Sequence, residues 1–205
     1  MASSATTGPR YRVAEDRILD AAVAVFAREG HDRASMDAIA AGAGITKPTL
    51  YTRFGSKEGL FTAAAAREMR IRRERLFLVY DMPPSEPFRR RLRRWNDAFF
   101  SLAAERPDGF RLVAEADRHP AAADLLGRAH DEITTRIAGI VLGVSKRRSR
   151  HGARLVASMI TGMLTACADE TLTLGADLEA AAALCESLLY AALRGLDASL
   201  IDAVN

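Results

Sequence analysis

Lys47, Thr49, Tyr51, Arg53 and Lys57 fall within eleven consecutive positions. Two ammonium groups, a guanidinium and two hydroxyls this close together are the donors that hold phosphate oxygens and the polar edges of bases. Short helices must present them. Ser35 caps one helix and Thr46 the next, since each hydroxyl accepts from an unpaired first-turn amide. Gly42 and Gly44 between them supply the freedom of a tight turn. Pro48 falls in an opening turn, where a missing N–H does little damage. Thr46, Lys47, Thr49 and Thr52 lie on or beside a different face from Leu50 and Phe54, so one face packs inward and the other stays free. This is a helix-turn-helix whose second helix is the candidate reader of a DNA major groove. Lys47, Pro48 and Thr49 fall nearest the base edges; Thr46, Tyr51, Arg53 and Lys57 fall on phosphates.

The reader needs a brace. Ala38, Ile39, Ile45 and Leu50 are apolar where the two helices must pack. Ser56 is placed to cap a third helix, so that Lys57 and the free amides beside it form an anion site at a helix start.

Residues 15–61 resemble the N-terminal DNA-binding domain of the TetR (tetracycline-repressor-like) family of bacterial regulators. The likeness runs from Arg17-Ile18-Leu19-Asp20-Ala21-Ala22 through Phe26, Gly30 and Ser35-Met36-Asp37-Ala38-Ile39-Ala40. It continues through Gly44-Ile45-Thr46, Thr49-Leu50-Tyr51, Phe54, Ser56-Lys57-Glu58 and Leu60-Phe61. Where the family often has His between Tyr and Phe, this chain has Thr52-Arg53, and Arg is a strong phosphate ligand. The resemblance implies a two-fold dimer on a palindromic double-stranded DNA operator and an inducer pocket in a second, helical domain. It also implies that the last two helices pair with those of the partner copy.

Composition agrees. The chain has 205 residues, 49% hydrophobic, enough for a small reading domain and a second domain with its own core. Residues 1–75 carry 13 Lys and Arg against 9 Asp and Glu, and residues 76–205 carry 16 against 17, so the basic end is the reading end. Cys167 and Cys185 sit in apolar helical runs and read as core residues of a reducing cytosol. The start lacks the apolar segment of a signal peptide. The most hydrophobic run, 137–144, is far shorter than the ~20 residues of a membrane span. A cytoplasmic protein without a membrane partner is expected. No metal or other cofactor is expected either, because His31, His119, His130 and His151 are scattered. An enzyme is disfavoured: there is no Gly-x-Ser-x-Gly, no phosphate-binding glycine loop and no His beside a plausible nucleophile.

The pattern along the chain is helical throughout, so the predicted fold is all-α. A flexible arm is expected over 1–12, a three-helix helix-turn-helix domain over 13–60, and a helical ligand-binding and dimerisation domain over 61–205. The first helix spans about 13–29 and stops at Gly30, with Ile18, Ala22, Val25 and Phe26 as its inner stripe. A long helix follows Ser56, with a solvated Arg-rich stretch over 67–75. Pro-rich 81–87 is a break. Helices are expected over 88–105, 108–118, 121–144, 153–169 and 177–196, with a basic loop over 146–152.

Aromatic and sulfur residues mark a candidate pocket in this second domain. Trp95, Phe99, Phe100, Phe110, Met159 and Met163 are its expected lining, with Glu115 as an anchor for a cationic group. The final helices are apolar over most of their circumference, through Leu155, Met159, Leu164 and Cys167 on one and Cys185, Leu188, Leu189 and Ala192 on the other. Such helices bury more than one side, which favours a homodimer seam. The functional expectation is a transcriptional repressor released from its operator by a small, largely apolar inducer. The alternative is a DNA-binding dimer without a ligand, its cavity packed shut.

Overall fold

Residues that cannot continue a helix punctuate this chain, and helices fill the intervals. The computed structural model describes residues 9–80, 85–145 and 149–204, and only the backbone of 9–13, 143–145 and 198. Among the described residues the regular elements are α1 (Pro9–Arg33), α2 (Met36–Ala43), α3 (Lys47–Phe54), α4 (Lys57–Tyr80), α5 (Phe88–Glu105), α6 (Pro107–Ala116), α7 (Pro120–Ser145), α8 (Arg150–Leu174), α9 (Leu178–Gly195) and α10 (Ala198–Ala203).

Gly30 breaks α1 with φ 74 and ψ 160, a conformation that favours glycine, and a last turn follows it. The expected arm over 1–12 divides: residues 1–8 lie outside those described, and α1 already begins at Pro9. Prolines open α6 and α7, where their missing N–H is harmless. In the Pro-rich break, 81–84 lie outside the described residues, and so do 146–148 of the basic loop. Ser149 caps α8 by accepting from the Gly152 amide at 3.0 Å, and α8 runs past its expected end near 169.

Helices α1, α2 and α3 close around Ile18, Ala22, Phe26, Ile39 and Leu50, all of them buried. Burying one such side chain contributes about 1.5–3 kcal/mol. Helix α4 leaves this cluster and packs in turn against α5, α6 and α7, while α8 lies between α7 and α9. It is buried on several sides, through Leu60, Phe61, Ala64, Met69, Leu76 and Tyr80. The Arg-rich stretch is only partly solvated. Arg70 and Glu74 make the expected exposed pair one turn apart, but Arg67 and Arg72 are buried. The Arg72 guanidinium lies 3.9 Å from the centre of the Phe110 ring, and burial pulls its pKa down to about 10.

Helix α10 was not expected. It is short, starts from Asp197, which accepts from the Ser199 amide at 2.9 Å, and buries a single large side chain, Ile201. Two adjacent apolar residues, Leu200 and Ile201, make no periodic pattern. Cys185 is buried and Cys167 half-buried, both as free thiols. Burial and the neighbouring Cys167 sulfur push the Cys185 thiol up to about 12.

Candidate DNA interface and ligand cavity

The turn of the helix-turn-helix rests on one glycine. Gly44, at φ 66 and ψ 37, ends α2, and the Ile45 amide reaches back to the Ala40 carbonyl at 3.0 Å. Gly42 lies inside α2 and plays no part in the turn. Ser35 caps α2, its hydroxyl accepting from the Asp37 amide at 3.2 Å. Thr46 occupies the cap position of α3 without capping it: its hydroxyl is paired with that of Thr49 at 2.9 Å. Leu50, fully buried, fixes α3 from beneath. Thr46, Lys47, Pro48 and Tyr51 are exposed, and Thr49, Arg53 and Lys57 half-buried.

Lys47 and Lys57 have partners inside the protein. Lys47 Nζ donates to Asp37 Oδ2 at 2.9 Å, and this hydrogen bond together with the Asp37 charge raises the ammonium above its ordinary pKa. Lys57 Nζ donates to the carbonyls of Asp32 at 3.0 Å and Ala34 at 3.5 Å. Lys57 is therefore a brace for the end of α1 as well as a candidate phosphate ligand, with one of its three N–H bonds left over. Ser56 Oγ accepts from the Gly59 amide at 3.0 Å. Arg17, which extends Nη2 to the Ala43 carbonyl at 3.2 Å, ties α1 to α2. Asp37 and Arg17 belong to the family likeness, but only the structure reveals what they pair with.

Glu115 is not in the cavity. Its Oε1 accepts the His31 amide at 2.6 Å, directly after the break at Gly30, and so joins α6 to α1. Arg111, one turn away on the same helix, donates instead to Asp108 at 3.2 Å and to the Leu172 carbonyl at 3.0 Å. The His31 ring lies 4.5 Å from that of His119 and 4.9 Å from that of Phe61, so two histidines far apart in sequence meet at this junction. Beside it, Arg67 bonds Asp20 at 2.7 Å and Glu68 at 3.0 Å. No three His, Cys, Asp or Glu side chains among the described residues gather as metal ligands would.

An apolar cavity of about 210 Å³ lies among α5, α7, α8 and α9, with Tyr80 of α4 and Ile201 of α10 at its edges. Its wall includes Phe88, Leu92, Trp95, Asn96, Ile137, Ile140, Val141, Ile160, Leu164, Leu189, Leu193 and Arg194. Of the candidate pocket residues only Trp95 is among them, its indole N–H donating to the Val79 carbonyl at 2.9 Å. Phe99, Phe100 and Phe110 are core residues in edge-to-face pairs, with Phe99 5.6 Å from Phe100 and 5.4 Å from Phe110. Met163 is half-buried outside the wall, and Met159 is 69% exposed on the outer face of α8. Helical spacing put these residues on helices correctly but did not say which neighbour each face meets.

Helices and reader together define a helix-turn-helix regulator with a hollow second domain. Residues 18–64 match the family described as bacterial regulatory proteins, tetR family. A solved TetR-like transcriptional regulator from Rhodococcus sp. RHA1 is 31% identical, with a TM-score of 0.71 over 90% of this chain and 97% of that one. The transcriptional regulator FadR of Bacillus subtilis, solved in complex with stearoyl-CoA, shares the fold at 21% identity and a TM-score of 0.73, over 85% of this chain and 97% of that one. The HTH-type transcriptional activator FasR of Mycolicibacterium smegmatis is 36% identical over 105 residues, 49% of this chain; the match spans only 45% of that relative's length. The chain belongs to the TetR family, whose members bind DNA as transcriptional regulators. Among the described residues no helix is long and apolar enough to cross a membrane.

Proposed function

We propose that this protein is a sequence-specific DNA-binding repressor of the cytoplasm, released from a palindromic operator when a small, largely apolar molecule occupies the cavity. One observation carries the reading: α4 begins at Lys57, which braces the end of α1 in the DNA-reading domain, and ends at Tyr80, which lines the cavity. A guest that favours one placement of α4 changes the placement of the reader, and only differential affinity for the two states shifts the balance. The stearoyl-CoA held by the Bacillus subtilis neighbour supports a ligand with an apolar part.

In this reading Lys47, Pro48 and Thr49 approach base edges, and Thr46, Tyr51, Arg53 and Lys57 approach phosphates. The dimer forms through α8 and α9, where Leu155, Met159, Leu184 and Leu188 leave an apolar surface uncovered. Two readers then face half-sites about 34 Å apart. The open cavity favours this account over a ligand-free dimer, whose interior has no reason to stay hollow. The test is a titration of the purified protein on DNA flanking its own gene, with and without a panel of apolar compounds. Specific binding to an inverted repeat, weakened by at least one compound, is expected; binding that no compound weakens would favour the ligand-free dimer.

A further inference from the structure

Five of the six residues from 89 to 94 are arginines, and they fall in the first two turns of α5. Part of this charge is accounted for. Arg91 is buried, with its guanidinium 5.1 Å from the centre of the Trp95 ring. Arg93 donates to Glu186 at 3.0 Å and Arg94 to Glu86 at 3.5 Å. Arg89 and Arg90 are exposed, and among the described residues no carboxylate pairs with either. Helix α9 runs antiparallel to α5: Asn96 bonds the Ala182 carbonyl, Arg93 bonds Glu186, and the Arg89 guanidinium lies 4.8 Å from the Tyr190 ring. That register brings the end of α9 to the opening of α5. It carries Arg194, whose guanidinium lies 5.8 Å from the same Tyr190 ring and likewise has no carboxylate partner among the described residues. Asp197 and Asp202, the acidic groups nearest it in sequence, accept instead from the amides of Ser199 and Ser149. Cations this close repel one another, and an anion between them removes the cost.

The same corner is where the cavity meets the surface. Arg194 is the one charged residue of the wall and is exposed, and Phe88, half-buried, lines the wall immediately before Arg89. An apolar hollow with cations only at its rim has the polarity of an amphiphile. We propose that the guest of this cavity is a short single-chain amphiphile whose apolar chain fills the hollow and whose phosphate head stays at the surface on Arg89, Arg90 and Arg194. The inference rests on the cavity being the regulatory ligand site and specifies what that site selects. Guanidinium forks match phosphate oxygens, and three cations are balanced better by a doubly charged head than by a single carboxylate. Size follows from volume. A dry apolar cavity of ~150 Å³ accepts a benzene-sized guest, so one of about 210 Å³ takes a chain of roughly eight heavy atoms. Operator DNA is not the anion. The Trp95 and Tyr80 rings are 5.9 Å apart, so this corner belongs to the end of α4 that lies about 36 Å from Lys57.

Trp95 is the only tryptophan of the chain and lines the cavity, so its fluorescence reports occupancy without reference to DNA. The probes are octyl phosphate, octanoate, octanol and ethyl phosphate. Octyl phosphate should bind about ten-fold tighter than octanol, with octanoate between them and ethyl phosphate weakest. The advantage over octanol should shrink as salt rises, and should largely vanish in the double variant Arg89→Gln, Arg90→Gln. Equal affinity of octanol and octyl phosphate for wild-type protein, or an advantage that salt and the double variant leave intact, overturns the head site. Tighter octanoate overturns the doubly charged head; ethyl phosphate as tight as octyl phosphate overturns the chain. Ile160→Phe, which narrows the cavity, should weaken octyl phosphate sharply, and an unchanged response would place the chain elsewhere and end the proposal. Should that variant fail to fold, the comparison of ethyl with octyl phosphate on wild-type protein decides the same point. Discriminating binding without any release of DNA would sink the regulatory reading and leave this one standing. Release of DNA by octanol and octyl phosphate alike, at equal affinity, would do the reverse.

Discussion

Glu68 receives Arg106 on both carboxylate oxygens, from Nε and from Nη2, each at 2.7 Å. The same carboxylate takes Arg67 at 3.0 Å, and Arg67 goes on to the Asp16 carbonyl at 3.0 Å. One buried residue of α4 thus ties the corner between α5 and α6 to α1. The fit is close: a side chain at Gly109 would run into the Glu68 carboxylate.

Removing Glu68 takes both of these bonds from Arg106 and leaves buried Arg67 with only Asp20 and the Asp16 carbonyl. Glu68→Ala should destabilise the fold by about 3 kcal/mol, and Gly109→Ala should destabilise it by forcing the carboxylate off Arg106. Denaturant titrations of the two variants measure both effects.

Acid should unlock the same junction. Burial raises the Glu68 carboxyl, but Arg106 and Arg67 together outweigh burial and hold it below its ordinary range. The folded state therefore binds this proton less readily than the unfolded chain does. Its contribution is full above the unfolded value, about pH 4.3, and is lost as pH falls through the lower folded value. Stability measured from pH 6 downward should decline less steeply in Glu68→Gln than in the wild type; parallel curves would deny Glu68 this role.

On DNA, the two lysines should behave differently. Lys47→Ala should relax sequence preference, whereas Lys57→Ala should weaken operator and random DNA alike and reduce the salt slope by about one unit. Asp37→Asn releases Lys47 from an internal competitor and should tighten binding a few-fold at low salt, the gain fading as salt rises. Anisotropy titrations at several salt concentrations separate the three. Equal losses for both lysine variants on every sequence would refute the assignment of base and phosphate contacts.

Leu188 is 53% exposed on α9, so its replacement tests association more than folding. Leu188→Glu should yield a monomer with an unchanged helical spectrum, because a carboxylate in an apolar seam is uncompensated. Sedimentation measures the monomer, and operator affinity should fall with the loss of one half-site. A variant that stays dimeric would move the interface off α9.

The end of the cavity is held by a close approach. A side chain at Gly152 would overlap the Ile201 carbonyl, and Ser149 Oγ donates to the Val204 carbonyl at 2.6 Å. Gly152→Ala should displace α10 and let water reach Trp95, which acrylamide quenching measures. Ile201→Ala, which only deletes side-chain volume, should cost about 2–4 kcal/mol and enlarge the cavity.

The reader was legible because its residue types act locally. A cap, a left-handed glycine and a first-turn proline each fix the backbone within a few positions, so Ser35, Gly44 and Pro48 announce their roles without tertiary knowledge. The cavity was not, because its wall is assembled from five helices and from a sixth that begins after residue 197. Trp95 and Asn96 are adjacent in sequence, yet only the aromatic one drew notice; a lone Asn in a helix carries no pattern until its neighbours are known. Glu115 was read as an anchor for a ligand because its neighbours are apolar, but the groups that decide its role lie 84 positions away. Thr46 shows the same limit at short range, since its hydroxyl had a second partner in Thr49.

Helix α4 has 24 residues, which at 1.5 Å each makes a rod about 36 Å long. On the proposed function, a rod gripped near its middle by Glu68 and Arg67 would work as a see-saw. A tilt of about five degrees there carries each end through roughly 1.5 Å over that length, in opposite directions. At Tyr80 such a shift would reshape the cavity wall; at Lys57 it would be about half the length of a hydrogen bond. In the proposed two-fold dimer both rods would swing, and the separation of the two readers would change by the sum of two such errors. On the proposed function, a repressor built this way would be switched off by losing its gauge, with neither reader needing to unfold.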